Sequence, residues 1–266
     1  MPLIAALSRD FVVPTDPGWA AGGRFSQAST GSLDRLFRLV RERPVSAVAL
    51  EYALLARDRD PAGAVVELRK RFPSVGLVLL AEARSDPQAL FRMGKVGIDA
   101  LVPAPWDRAQ QELFAALARA LRRSAPALVT RAVSPYLPRR EVEALRWALD
   151  APSHGWRTER FAQAVGLTRA HLSVRLKEVG LPSAGHLLVW SRMLHAGLWL
   201  TDPGRSGESI SRQLEYSSGA AFRRALRSYV GTTPTGVAAG GGFSFVLSRF
   251  LRACALGGRG AGRSAA

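Results

Sequence analysis

Cysteine is almost absent from this chain. Cys254 stands alone in 266 residues, which excludes an internal disulfide and a cysteine-built metal cluster. Histidine is scarce as well. His154, His171, His186 and His195 do not fall at a metal-ligand spacing, so no metal is expected. No apolar run reaches the ~20 residues of a membrane span. The N-terminus has no basic region followed by an apolar run and a cleavage site. The expectation is a cytoplasmic protein without a membrane partner. There is no nucleophile–base pair, no pair of carboxylates and no phosphate-binding glycine loop, so no catalytic residue, enzyme activity or cofactor is expected. Acidic residues are also short: 21, against 37 basic ones, of which only Lys70, Lys95 and Lys177 are lysine.

The resulting net charge of +16 is unevenly placed. Residues 1–131 carry 19 basic and 13 acidic side chains, and residues 132–266 carry 18 and 8. The basic excess of the second half suits a phosphate-bearing partner. That half also holds the most informative stretch, Ser206 to Pro234 (SGESISRQLEYSSGAAFRRALRSYVGTTP). Ser206 can cap a helix with Glu208 in its first turn. Ile210 and Leu214 share a face of that helix. Tyr216, Ser217 and Ser218 make a turn. A second helix follows, burying Phe222, Leu226 and Tyr229 or Val230, with Arg223, Arg224 and Arg227 largely on the other side. Gly231 ends it, and Pro234 prevents continuation. Two short helices about a tight turn, the second rich in arginine, are the layout of a helix-turn-helix.

Tyr216-Ser217-Ser218, Phe222, Arg224, Leu226, Arg227, Gly231, Thr233 and Pro234 together resemble the C-terminal signature of the AraC/XylS family of bacterial transcription regulators. The resemblance implies an all-α domain with two helix-turn-helices joined by one long helix. A first copy is present upstream. Thr158 to Val165 reads as a supporting helix, Gly166 and Leu167 turn the chain, and Thr168 caps a second helix with Leu172, Leu176 and Val179 on one face. Leu187 to Leu200 is apolar enough for the long connecting helix, with Arg192 and Ala196 where the family has Arg and Ala. The resemblance covers residues 135–238. It implies double-stranded DNA as partner, with the second helix of each motif entering the major groove about one helical turn, or ~34 Å, from the other. It places base-reading positions at Arg169, Ala170, Ser173 and Val174 in the first motif, and at Gly219, Ala220, Arg223 and Arg224 in the second, with Arg227 beside them. Hydrogen-bonding readers are few in this set: the family often has Arg where Val174 stands and longer polar residues near Gly219 and Ala220. Glu215 stands where the family usually has Gly, at a helix end that often needs a left-handed residue.

The first half alternates strands and helices, which implies a parallel α/β sheet. Strands are expected at residues 2–7, 25–30, 45–50, 75–80 and 98–102, and helices at 32–42, 62–72, 87–93 and 108–122, with an irregular connection over 10–24. The order resembles a response-regulator receiver in the flavodoxin-like, doubly wound arrangement. The receiver's acidic, phosphoacceptor, Ser/Thr and Lys places hold Ser8-Arg9-Asp10, Glu51, Ala81 and Ala104. Glu51 is read either as a mimic of a phosphorylated aspartate or as a polar residue closing its strand. The unit is therefore expected to be a pseudo-receiver over residues 1–123, serving for homodimerisation or for docking onto the DNA-binding half.

Residues 124–138 hold three prolines and few periodic apolar positions, which predicts a linker before a DNA-binding domain at 139–238. Residues 239–266 read as a Gly/Arg-rich tail. Phe243, Val246, Leu247, Phe250 and Leu251 could share one helix face there, packing on the protein itself or lying on a membrane surface. The last ten residues are expected to be disordered. The functional expectation is a sequence-specific DNA-binding transcription regulator, with RNA polymerase as a further partner. The alternative is a decayed regulator acting as a protein-interaction module. One prediction follows from Ala81 and Ala104: acetyl phosphate leaves the intact mass of the chain unchanged. A stoichiometric phosphate on the N-terminal half contradicts it.

Overall fold

The computed structural model describes residues 2–8, 25–57, 60–82, 85–103, 110–153 and 155–256. The expected irregular connection at 10–24, Arg9, Asp10, Ala104 and the last ten residues lie outside them. The chain divides into an α/β unit, Met1–Ser124 with Asp202–Arg205, and a helical unit, Ala125–Thr201 with Ser206–Ala266.

In the α/β unit, β1 (Leu3–Leu7), β2 (Ser26–Thr30), β3 (Val45–Glu51), β4 (Gly76–Ala81) and β5 (Ala100–Pro103) form one parallel sheet in the order β2-β1-β3-β4-β5. Strands buried on both faces read as continuous apolar runs, and LIAAL and GLVLLA are buried throughout. Alternate side chains separate into two cores, as strand geometry requires. Ala5, Leu7, Val48, Leu50, Leu77 and Leu79 meet Leu36 and Val40 of α1 (Leu33–Glu42), Val65 and Leu68 of α3 (Pro61–Arg71) and Met93 of α4 (Pro87–Lys95). Ile4, Ala6, Ala49, Val78 and Leu80 meet Leu113 and Leu117 of α5 (Gln110–Leu121). A four-residue helix, α2 (Tyr52–Leu55), follows β3 and was not anticipated. Helices α3 and α4 begin with the same device, an aspartate cap followed by proline. Asp60 accepts from the N–H groups of Ala62 and Gly63, and Asp86 from that of Gln88. Proline at the first helical position loses no hydrogen bond there.

The strand order reverses between β1 and β3, the place where ligands bind in such sheets. Here Ser8 donates its hydroxyl to Glu51 Oε2 at 2.7 Å, and Ala81 closes β4. Glu51 is thus held by a neighbouring hydroxyl at the phosphoacceptor place. The opposite end of the sheet is pinned by Asp99. Its carboxylate accepts from Leu77 N at 2.8 Å and Arg123 Nε at 2.9 Å, and it pairs with Arg69 Nη2. Arg69 also donates to the carbonyls of Gly97 and Val75. Within the same unit, Asp202 accepts from the N–H and hydroxyl of Ser74 and pairs with Arg205, both partners fully buried.

The helical unit contains α6 (Ala125–Val133), α7 (Arg139–Asp150), α8 (Thr158–Ala164), α9 (Arg169–Glu178), α10 (Ala184–Trp199), α11 (Gly207–Gln213), α12 (Gly219–Val230), α13 (Pro234–Ala239) and α14 (Phe243–Ala253). Helix α10 is apolar around most of its circumference, a pattern that belongs to a buried helix. It is packed by α6, α7, α8, α9, α12 and α14. Within it His195 is fully buried and donates from Nδ1 to the Ser191 carbonyl; desolvation pushes its pKa down to about 4, so the ring is neutral near pH 7.

Two expectations are corrected. The stretch 124–138 is not an irregular linker: α6 buries Ala125, Val129 and Val133 in the core of the helical unit. Its prolines misled because each stands at an element start. Pro126 is in the first turn of α6, Pro135 in a short 3-10 turn, and Pro138 immediately precedes the first residue of α7. The domain also does not end near 238. Pro234, expected only to stop α12, opens α13. Helix α14 then buries Val246 and Phe250 against α10. Phe250 lies 5.6 Å from the Trp190 ring. A Cβ on Gly197 would come within 2.7 Å of Val246, so this close approach needs glycine. Beyond α14, Ala255 N–H bonds the Gly180 carbonyl just after α9.

The Asp99 cluster gives a stability prediction. The Asp99 side chain is 13% exposed, as is 15% of Arg69, whereas Arg123 is 52% exposed. Asp99→Ala strips a largely buried cation of its partner and an N–H of its acceptor, and should cost about 2–3 kcal/mol. Arg123→Ala removes a cation that is half exposed and leaves Asp99 its Arg69 and Leu77 partners, and should cost under ~1 kcal/mol. Urea midpoints at constant m-value check the ranking; equal losses contradict it.

Candidate nucleic-acid interface

The helical unit contains two helix-turn-helices built by one scheme. Both supporting helices, α8 and α11, have seven residues. Both end in the same turn. In the first, Gly166 N–H bonds Gln163 O and Leu167 N–H bonds Ala162 O; in the second, Glu215 N–H bonds Arg212 O and Tyr216 N–H bonds Ser211 O. This paired 5→2 and 6→1 bonding is the Schellman motif, whose central residue is left-handed. Gly166 has φ 69° and Glu215 φ 58°, and Glu215 is the one non-glycine with positive φ among the described residues. Both recognition helices are then capped by a hydroxyl. Thr168 accepts from His171 N–H before α9, and Ser218 from Ala221 N–H before α12. Replacing such a cap by alanine typically costs ~1 kcal/mol. Gly231, with φ 85°, closes α12.

Each recognition helix turns one stripe inward. Leu172 and Leu176 anchor α9, and Phe222, Leu226 and Val230 anchor α12. Arg192 of α10 lies over the Tyr216 ring at 5.9 Å, tying the second turn to the central helix. The outward face of α12 carries Ala220, Arg223, Arg224 and Arg227, all exposed. None of these arginines forms an ion pair among the described residues. The outward face of α9 carries Arg169, Ala170 and Val174. Lys177, one turn beyond Val174, shares that strip and was passed over in the sequence, although the helical period points to it.

Three positions are placed differently from the rest. Gly219 is buried, and a Cβ there would meet Glu208 Oε2 at 2.6 Å, so this residue offers no side chain to a ligand. Ser173 is half-buried, and its hydroxyl accepts from Ala184 N–H at the start of α10. Arg169 Nη1 pairs with Glu159 at 2.8 Å, with both side chains more than half exposed. A pair this exposed is worth ~0–1 kcal/mol and can be exchanged for a phosphate.

Residues 161–239 match a family model described as a helix-turn-helix domain. Over these residues the chain carries a helix-turn-helix domain of the AraC type. The match runs from α8 to α13 and leaves α6, α7 and α14 outside it. No curated protein is a significant match to the chain. Among solved structures, RcsB from Salmonella enterica serovar Typhimurium bound to promoter rprA is 14% identical. That alignment covers 71% of this chain and 97% of that one, with a TM-score of 0.33. The xylose-binding transcription activator XylR is 13% identical over 90% of this chain and 70% of that one, TM-score 0.36. NtrX from Brucella abortus in complex with ATP is 15% identical over 67% of this chain and 46% of that one, TM-score 0.35. At these scores the likenesses are loose. Among the described residues, no group of His, Cys, Asp and Glu could hold a metal, and no helix is long and apolar enough to cross a membrane.

Glu215 generates a prediction from the repeat itself, because Gly166 does the same job without a Cβ. The left-handed conformation costs a residue with a Cβ roughly 1–2 kcal/mol. Glycine would remove that strain but lose ~0.5–1 kcal/mol to unfolded-state freedom. Glu215→Gly should therefore stabilise the helical unit by only ~0.5 kcal/mol. The larger effect is electrostatic, since the mutation removes an exposed carboxylate three residues before the cap of α12. Glu215→Gly should tighten DNA binding, more at low salt than at high salt. Titration of one duplex at two salt concentrations checks this; weaker binding by the mutant contradicts it.

Proposed function

We propose that this chain is a sequence-specific transcription regulator that binds double-stranded DNA through both helix-turn-helices, with α9 and α12 in successive major-groove segments on one face. The observation that carries the reading is α12: a capped helix, anchored by Phe222 and Leu226, whose outward face presents three exposed arginines, none of them in an ion pair among the described residues. Arginine supplies phosphate attraction and, when bidentate, recognition of guanine O6 and N7. Arg224 is the base reader of this set, with Arg223 and Arg227 neutralising phosphates. Arg169 joins them by giving up Glu159. Lacking the phosphotransfer residues, the α/β unit serves as a homodimerisation module, and RNA polymerase is the further partner.

The rival reading is a decayed regulator that binds a protein partner. It draws on the loss of readers at Gly219 and Ser173 and on the exposed apolar Val174. Salt separates the two. For DNA binding, log affinity falls linearly with log salt, with a slope set by the number of phosphates neutralised. Arg224→Ala should keep the fold and weaken binding to the best duplex by about 1–3 kcal/mol while relaxing preference at one base pair. Arg227→Ala should weaken all duplexes alike and lower the salt slope by about one. Anisotropy titrations across salt check both. Absence of binding at low salt favours the protein-partner reading, and an Arg224→Ala variant with full affinity removes Arg224 from the interface.

A further inference from the structure

Val174 is not explained by the fold. The residue is 54% exposed on α9, while the same helix buries Leu172 and Leu176. A β-branched residue is a poorer helix former than alanine, and an exposed one gains nothing from packing. Ala170 stands four residues earlier and is exposed on the same strip, so the two side chains lie one above the other. Neither carries a donor or an acceptor. Around them the helix is polar: Arg169 and His171 precede, and Lys177 follows one turn on, all exposed. An apolar strip set among polar and charged side chains, Glu178 among them, on the outward face of a capped recognition helix, breaks the local rule for a solvent-facing surface, and such breaks collect at functional sites.

The chemistry of the partner narrows what this strip can meet. Base edges in the major groove present hydrogen-bonding groups at every pair, and the thymine 5-methyl is the apolar group among them. Opposite Val174, any base offering only donors or acceptors would lose hydration without a partner, which costs binding. Against a thymine methyl, the Val174 methyls bury apolar surface. Because valine is stiff about χ1, little side-chain freedom is lost on contact.

Resting on the DNA-binding reading above, we propose that Val174, with Ala170, selects thymine through its 5-methyl group in the segment faced by α9. The first motif then reads by methyl contact and the second by arginine hydrogen bonds. This makes Val174 a specificity-determining residue for a pyrimidine methyl, and the segment facing α9 should tolerate no polar substitute for that thymine.

The test uses the full chain and a duplex selected from a random pool. Each thymine in the half contacted by α9 is replaced singly by deoxyuridine, which removes only the methyl. Wild type should lose about three- to fivefold in affinity at one or two of these positions, the effect of one buried methyl group. Val174→Ala should lose a similar factor on the thymine duplex and become indifferent to deoxyuridine at the same position. Its exposure leaves the fold intact, which circular dichroism checks. If no deoxyuridine weakens wild type, or if the penalty persists undiminished in Val174→Ala, the thymine proposal is overturned while DNA binding stands. If the pool yields no bound duplex at low salt, the DNA-binding reading fails and this proposal with it.

Discussion

Both helix-turn-helices bury their apolar stripes against a common core whose centre is α10. That helix packs on α8 and α9 of the first motif and on α12 of the second. A protein interior is close-packed and resists small displacements, so the two recognition helices are held by one rigid rod rather than by a linker. The feature follows from composition: a largely apolar stretch whose one Lys, Arg, Asp or Glu is Arg192, which itself covers the Tyr216 ring. Helix α14 reinforces it, with Val246 seated on Gly197 and Phe250 beside Trp190. The bond from Ala255 to Gly180 brings the end of that segment back to the end of α9. The helical unit thus includes elements on both sides of the stretch that the family model matches.

Within that frame, each motif is set by a single left-handed residue. The hydrogen bonds at Gly166 and Glu215 are the same pair, so the direction in which each recognition helix leaves its supporting helix is a backbone property. Using glutamate in one copy stores roughly 1–2 kcal/mol of strain beside an arginine-rich helix. Gly155, itself at φ 61°, leaves room for the carboxylate: a Cβ there would meet Glu215 Oε1 at 2.5 Å. The two motifs share architecture but not surface chemistry. One presents methyl groups among a few cations, the other arginines.

Much of this was legible in the sequence because the signals were local. Alternating apolar runs and helical periods specified the five parallel strands and their helices, and Thr168 was recognisable as the cap of α9, whereas Ser218, read only as part of a turn, caps α12. Glu215 was recognisable as a residue standing where a left-handed conformation is needed. What the sequence concealed was tertiary. The prolines at 126, 135 and 138 mark a linker by composition, yet each sits where an element begins and costs nothing. The burial of Gly219 depends on Glu208 folding over it, and the role of Ser173 depends on α10 starting beside it. Neither contact has a local signature. The outward place of Val174, by contrast, was legible, because the resemblance put it among the base-reading positions while Leu172 and Leu176 took the inward stripe.

The central claim is that one rigid helical unit presents two recognition helices to one face of DNA. Hydroxyl-radical footprinting of the full chain on a selected duplex tests it most directly. The account predicts two protected segments on the same face, with centres about one helical turn, or ~34 Å, apart, and joint loss of both when the core under α10 is disrupted. A single protected segment that survives deletion of either recognition surface, or two segments on opposite faces, would contradict it.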